Sequence, residues 1–135
     1  MVDPLHDAWN KDAAKEFADR WLPAWTGNDP ELLISFYTED VIYLDPVVPQ
    51  GLQGRVAVLR YFRALLAKNP SWVWTQREVV PMENGFVNLW HARFPLADGE
   101  VEIDGVCLVF LRGDRIYRNE VYFDRTKLLA TMKAH

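Results

Sequence analysis

The chain has 135 residues, half of them hydrophobic and a quarter charged, with a formal net charge of −4. This length predicts one domain, and the composition is typical of a globular protein in water. The acidic balance argues against a nucleic-acid surface, which would show a basic excess. No segment is apolar for long enough to cross a bilayer, so the sequence predicts a cytoplasmic protein that does not contact a membrane.

The first half of the chain is predicted to be mainly helical. Residues 1–11 are polar and include Pro4, which is typical of a loose tail. Beyond them, apolar residues recur every three to four positions between turn and cap signals, as in amphipathic helices. The predicted elements are helices at about 12–25, 30–36 and 54–68, with a short strand at 40–44.

The second half changes to the period of strands, with apolar and polar residues alternating between short Gly-containing turns. Such short connections predict an antiparallel meander. The strands are predicted at 72–82, 86–96, 100–111 and 115–123, followed by a short helix from about Asp124. This order predicts an α+β domain, with three helices packed on the concave face of a curved antiparallel sheet and a cavity inside the resulting cone.

Aromatic residues are numerous, with six Trp, five Tyr and seven Phe. They indicate either a well-filled core or an aromatic-lined pocket for an apolar ligand. The single cysteine, Cys107, excludes an intramolecular disulfide, and its apolar neighbours predict a buried, inert thiol. The three histidines are far apart along the chain, so the sequence predicts neither a metal site nor a cofactor.

Three segments together resemble a known superfamily: "WLPAWTGNDPELLISFYTEDVIYLDP", "RYF" at 60–62 and "GDRIYRNEVYFDRTKLL". They resemble the nuclear transport factor 2-like (NTF2-like) superfamily, which includes SnoaL-like polyketide cyclases, ketosteroid isomerases and limonene epoxide hydrolases. The resemblance covers roughly residues 12–130. It implies a single SnoaL-like domain, an internal pocket for a small apolar molecule, and a homodimer formed through the open sheet face.

The segment Asp45-Pro46-Val47, with Gly54 opening the next helix, resembles the site of ketosteroid isomerase. That resemblance implies that Asp45 is a general base for proton transfer on carbon, a chemistry for which this enzyme is a standard example. The positions of the family's two oxyanion-stabilising acids are held here by Trp21 and Val106. Neither side chain supplies the acidic proton of the residue that it replaces.

Tyr43, Asp45 and Pro46 also resemble the epoxide hydrolase pocket, where a tyrosine and an asparagine hold the attacking water. That match implies that Tyr43 positions a substrate or a water. The acid that these enzymes carry on the last strand aligns with Val121. The site is therefore predicted to serve either an isomerase, cyclase or hydrolase, or a non-catalytic ligand-binding or assembly module of the same fold.

Several of these residues have a structural alternative. Asp45 precedes a proline and could form a turn by bonding its own backbone, or it could serve the pocket. Asp104, beside Gly105, could lie at the sheet rim in water or inside the cone. His91 could be a general acid, although strand alternation points it outward.

The predicted pocket combines the apolar faces of the first and third helices with the cone-facing residues of the strands. The sequence does not fix the register of the first two meander strands. Its candidate residues are Trp21, Trp25, Tyr43, Asp45, Phe62, Trp74, Trp90, Asp104, Asn119, Val121 and Phe123.

Overall fold

A computed structural model describes residues 10–96 and 99–126, apart from the side chain of Leu96. In this part of the chain, three α-helices and a 3-10 turn precede or interrupt a curved sheet of six strands. The helical elements are α1 (Lys11–Trp21), the 3-10 turn (Leu22–Trp25), α2 (Pro30–Ile34) and α3 (Arg55–Lys68). The strands are β1 (Tyr37–Leu44), β2 (Leu52–Gln53), β3 (Val73–Met82), β4 (Gly85–Leu96), β5 (Gly99–Arg112) and β6 (Arg115–Phe123).

Helix α1 begins where Asn10 accepts a hydrogen bond from the backbone N–H of Ala13 at 2.8 Å, which satisfies one of the free donors of the first turn. Its buried residues recur at helical spacing, as predicted. The regular helix ends at Trp21, earlier than predicted, and continues as the 3-10 turn. Pro23 explains the change, because it has no N–H to donate within the helix.

The other two helices start at the predicted signals. The Asp29 carboxylate caps α2 by accepting from the backbone N–H of Leu32 at 3.2 Å. Helix α3 follows Gly54, whose φ of 90° lies in the left-handed region that glycine adopts without strain. Helix α2 packs against α3 and the 3-10 turn, whereas α3 packs against β1, with Phe62 of α3 completely buried.

The strand order is β2-β1-β6-β5-β4-β3. Strands β3 to β6 form the predicted antiparallel meander. Strand β1 pairs in parallel with β6, so the sheet is mixed rather than wholly antiparallel. The two-residue strand β2 was not predicted, because a bridge of this length has no periodicity to read.

The register of β4 and β5 decides which side chains face the helices. Trp90 lies opposite Gly105, and a Cβ added at Gly105 would approach the Trp90 ring to 2.2 Å. Gly105 therefore faces inward, together with Cys107. The pocket position predicted for Asp104 is wrong, because Gly105 and Cys107 occupy the inner side and alternation turns the side chains of Asp104 and Val106 outward.

The predicted helix near Asp124 and most of the predicted tail at 1–11 lie outside the described residues. Asn10 and Lys11 already belong to the start of α1. None of the helices in the described part of the chain has the length and apolar character that a bilayer crossing requires. Pairing of two copies through the sheet face stays a prediction.

Candidate functional site

A cavity of about 350 Å³ lies between the inner face of the sheet and the helices. Most of its lining is aromatic or aliphatic, and the polar side chains are few. The lining residues are Leu22, Trp25, Tyr43, Asp45, Val47, Tyr61, Leu65, Lys68, Trp72, Trp74, Trp90, Cys107, Val121, Phe123 and Arg125. A concave apolar site with a few convergent polar groups is the usual form of a small-molecule pocket.

The aromatic wall is built from four separate elements. Trp74 on β3 contacts Trp90 on β4 with ring centroids 4.9 Å apart. Trp90 in turn contacts Phe123 at the end of β6, at 5.6 Å. Trp25, in the 3-10 turn, packs against Trp74 at 6.1 Å. Edge-to-face and tilted contacts of this kind hold the rings in fixed orientations and keep the cavity open between them.

Asp45 is the acidic group of the cavity and is only 6% exposed. Its Oδ2 accepts hydrogen bonds from the hydroxyls of Tyr43 and Tyr61, each at 2.7 Å. Its Oδ1 accepts from the backbone N–H groups of Val47 and Val48 at 2.8 and 3.2 Å. The two roles foreseen for Asp45 therefore coexist, since one oxygen shapes the turn and the other faces two phenols.

Burial and this bonding raise the pKa of both tyrosines. A carboxylate has about four lone-pair positions, and Asp45 has four donors directed at them. Burial, reinforced by the Asp45 charge, raises the pKa of the Tyr43 phenol well above its usual value. Burial and the hydrogen bond to Asp45 also raise the pKa of Tyr61. Both tyrosines are consequently neutral donors near neutral pH.

The single thiol belongs to the floor of the cavity. Cys107 accepts a hydrogen bond from the indole N–H of Trp90 at 3.1 Å, and burial raises its pKa to about 12. A thiol with this pKa is protonated near neutral pH and is a poor nucleophile, in line with the predicted buried thiol. Among residues 10–96 and 99–126, no three His, Cys, Asp or Glu side chains are grouped as a metal site would require.

Seven of the predicted pocket residues line the cavity, namely Trp25, Tyr43, Asp45, Trp74, Trp90, Val121 and Phe123. Trp21 and Asn119 instead belong to a buried chain of hydrogen bonds in the core. The Trp21 indole donates to the Tyr37 hydroxyl at 3.2 Å, and that hydroxyl donates to Asn119 Oδ1 at 3.0 Å. Phe62 is also in the core, where its ring contacts Tyr37.

Asp104 is not in the cavity. It is exposed on the outer face, where Oδ1 lies 2.8 Å from Nδ1 of His91. The other ring nitrogen of His91 lies 3.0 Å from Glu102. The hydrogen bonds to Asp104 and then Glu102 raise the pKa of His91. His91 thus points outward, as alternation predicts, on the opposite face of the sheet from the aromatic wall.

Tyr61 is the principal residue that sequence reasoning missed. Tyr61, Leu65 and Lys68 occur at positions i, i+4 and i+7 of α3, which places them on one helix face. The helical spacing of these three residues was therefore visible in the sequence. The neighbouring stripe that contains Phe62 is more apolar, and it was assigned to the pocket instead. Trp72, Arg125, Leu22, Val47 and Cys107 were also not assigned to the pocket.

The fold and this cavity define a small cone-shaped domain of the NTF2-like class. The profile of the SnoaL-like domain family matches residues 18–119, and the chain belongs to that family. The comparison with curated proteins gives no significant match.

Solved structures share the fold at low sequence identity. A hypothetical protein of ketosteroid isomerase-like fold from Catenulispora acidiphila DSM 44928, in complex with trimethylamine, gives a TM-score of 0.76 at 19% identity, covering 85% of this chain and 90% of that one. A candidate SnoaL-like polyketide cyclase from Shewanella putrefaciens CN-32 gives 0.76 at 16% identity, covering 90% and 86%. TerC, co-crystallised with polyporic acid, gives 0.73 at 16% identity, covering 89% and 98%.

Proposed function

We propose that this protein binds a small apolar organic molecule in the aromatic cavity, with the polar end of the ligand against the hydroxyl of Tyr61. The observation that carries the proposal is the cavity itself, in which a largely aromatic lining surrounds one hydrogen-bonded cluster, Tyr43–Asp45–Tyr61. Apolar walls supply affinity by removing ligand surface from water, and the few polar groups fix its orientation.

Tyr61 is the member of the cluster that a ligand reaches first. Tyr43 is 1% exposed and packed against aromatic rings, whereas Tyr61 is only half-buried. While its hydroxyl donates to Asp45, the phenol oxygen keeps a lone pair that can accept from a ligand hydroxyl or N–H. A ligand carbonyl would instead take the Tyr61 proton donor, and Asp45 would retain its other three hydrogen bonds.

Two comparisons support binding without defining the ligand. The SnoaL-like family to which the chain belongs includes polyketide cyclases, and one structure of the same fold was solved with polyporic acid. We carry over from these relatives only the general class, a mainly apolar organic molecule, because identities below 20% show the fold alone.

The test uses N-phenyl-1-naphthylamine, a neutral aromatic probe, because four of the six tryptophans line the cavity and report its occupation by energy transfer. Val121→Trp fills the cavity, and its matched control, Val106→Trp, adds the same volume on the outer face. We expect the first variant to weaken binding by about tenfold or more and the second by less than about twofold. Equal binding to both variants would show that the probe lies elsewhere.

A catalytic use of the same cluster has one observation in its favour, since Oδ2 of Asp45 and the Tyr61 hydroxyl are adjacent and both residues line the cavity. If a substrate carbonyl takes the Tyr61 hydrogen bond, Oδ2 gains a free lone pair. A proton on the α-carbon can then pass to Oδ2, its bonding electrons form an enolate that Tyr61 stabilises, and Asp45 returns the proton to carbon.

This second candidate is tested with 2-tetralone in D₂O, where exchange of the α-hydrogens for deuterium is followed by NMR. A catalytic base predicts faster exchange with the wild-type protein and a loss of about 10²-fold or more in Asp45→Asn. The Asn side chain can keep the turn through its carbonyl oxygen while its amide faces the tyrosines. Exchange at the buffer rate with both proteins leaves the non-catalytic binding function as the proposal.

A further inference from the structure

Two cationic side chains line the largely apolar cavity. Lys68 is the last residue of α3, and Arg125 lies two positions after the end of β6. Lys68 is exposed and Arg125 is half-buried. Together with the exposed Val47, they mark the mouth, whereas the tryptophan and phenylalanine rings form the interior.

These two cations differ from many of the other basic residues in what they contact. Within residues 10–96 and 99–126, neither Lys68 nor Arg125 forms an ion pair with a carboxylate. By contrast, Arg63, Arg93 and Arg112 are paired with acids on the surface. In a chain of net charge −4, two cations that line one cavity and have no ion-pair partner among the described residues indicate a bound anion.

The cavity lining contains one acidic group as well as the two cations. This group is Asp45, which lies in the buried wall, where its two oxygens accept four hydrogen bonds. A negative charge on Asp45 repels an anionic ligand group, whereas Lys68 and Arg125 attract it. The positive charge of Arg125 lowers the pKa of Tyr61 against the larger rise caused by burial and Asp45, so this cation acts on the cluster that faces the ligand.

We infer that the cavity selects organic anions, in which an aromatic body fills the interior and a single acidic group is held by Lys68 and Arg125 at the mouth. This inference rests on the proposed function and narrows it. A carboxylate or sulfonate at the mouth gains two cationic partners, while a neutral hydroxyl or carbonyl elsewhere on the ligand reaches Tyr61.

A purely structural role accounts for only part of this arrangement. A lysine in the last turn of a helix interacts favourably with the helix dipole, and Lys68 occupies that position in α3. Arg125 follows a strand and has no such role. Substitution of each cation separately therefore distinguishes ligand binding from stabilisation of the helix.

The experiment compares two probes with the same aromatic skeleton. They are 1-anilinonaphthalene-8-sulfonate, which carries one sulfonate, and neutral N-phenyl-1-naphthylamine. Binding is measured by energy transfer from the cavity tryptophans, for the wild type and for Lys68→Met, Arg125→Met and the double variant. Arg60→Met is the matched control, because it removes a charge from an exposed position of α3 that does not line the cavity.

We expect each single substitution at the mouth to weaken binding of the anionic probe by about three- to tenfold, and the double variant to weaken its binding further. Binding of the neutral probe should change by less than about twofold in every one of these variants. Arg60→Met should leave both probes unchanged. Ratios are taken within one probe, so the different water solubilities of the two probes cancel.

The inference is overturned if neither mouth substitution changes the affinity for the anionic probe, or if the affinity for the neutral probe falls by the same factor. In either case the proposal that the cavity binds a ligand still stands, provided that Val121→Trp weakens binding of the neutral probe. If neither probe binds the wild-type protein, or if both bind Val121→Trp unchanged, the cavity is not the binding site and both proposals fail. Circular dichroism of each variant verifies that it is folded.

Discussion

Asp45 and Asp104 each accept hydrogen bonds from side chains near the same end of the sheet, but their surroundings differ. Asp45 is 6% exposed and is bonded by two phenols and two backbone amides. Asp104 is exposed and bonded by His91, with Arg77 at 3.9 Å. Hydrogen bonds are expensive to lose where water cannot replace them, so the same residue type should matter greatly at one position and little at the other.

The largest effect is expected from Asp45→Ala. The change leaves the buried phenol of Tyr43, the half-buried phenol of Tyr61 and two backbone N–H groups without their acceptor, which should lower the free energy of unfolding by about 3 kcal/mol or more. Asp104→Ala removes only screened surface contacts and should cost less than about 1 kcal/mol. Urea unfolding of both variants measures the difference, and equal losses would contradict the role given to burial.

The next largest effect is expected at Gly105, which follows Asp104 in the chain but faces inward. Gly105→Ala places a Cβ 2.2 Å from the Trp90 ring, and the resulting overpacking should cost about 1–3 kcal/mol. Displacement of Trp90 should also change its fluorescence. Asp104→Ala, one residue away on the outer face, serves as the control, and a Gly105→Ala variant as stable as that control would refute the assigned register.

A smaller loss of stability is expected when a tyrosine that donates to an acid is replaced by phenylalanine. The loss should be greater where that acid is the buried Asp45 than where it is Glu120 on the outer face. Tyr61→Phe removes one of the donors to buried Asp45 and should cost about 1 kcal/mol. Tyr122→Phe removes a donor to Glu120 on the outer face, where Tyr122 is 44% exposed. That change should cost less than about 0.5 kcal/mol. Urea unfolding ranks the two variants, and the reverse order would count against the Asp45 cluster as a stabilising unit.

The smallest effect is a dependence on pH at the outer face. Asp104 and Glu102 raise the pKa of His91 above its ordinary value of 6.5, so the charged imidazole favours the folded state. This contribution is complete below about pH 6.5 and is lost as the pH rises through the folded pKa. The loss should be absent in His91→Gln. NMR titration of the ring should place its pKa above 6.5, and a lower value would contradict the geometry.

Much of the architecture follows from local patterns. The Asp29 cap, the stripe of α1 and the alternation of β3 to β6 each predict their element, because caps and periodicity are properties of neighbouring residues. The parallel pairing of β1 with β6 does not follow, since it joins segments about seventy residues apart and no local pattern records such a contact.

The resemblance to the family named Asp45 and Tyr43 as site residues. Both of them line the cavity together with three of the tryptophans named from the sequence. The sequence does not show which side chains of β5 point inward. Residues 106–111 are apolar on both faces of the strand, so alternation does not distinguish an inner from an outer face there. Only the fit of the Trp90 ring against Gly105 decides it, and that fit depends on register.

The place of β6 between β1 and β5 has a consequence for biosynthesis. Until residues 115–123 have been translated, β1 has only the two-residue β2 beside it, and one edge of β5 has no neighbour. The nascent chain thus exposes two open strand edges, the kind of surface that chaperones shield and that promotes aggregation. Closure of the domain must wait for one of its last strands, which favours folding late in synthesis and a slow, non-local rate-limiting step.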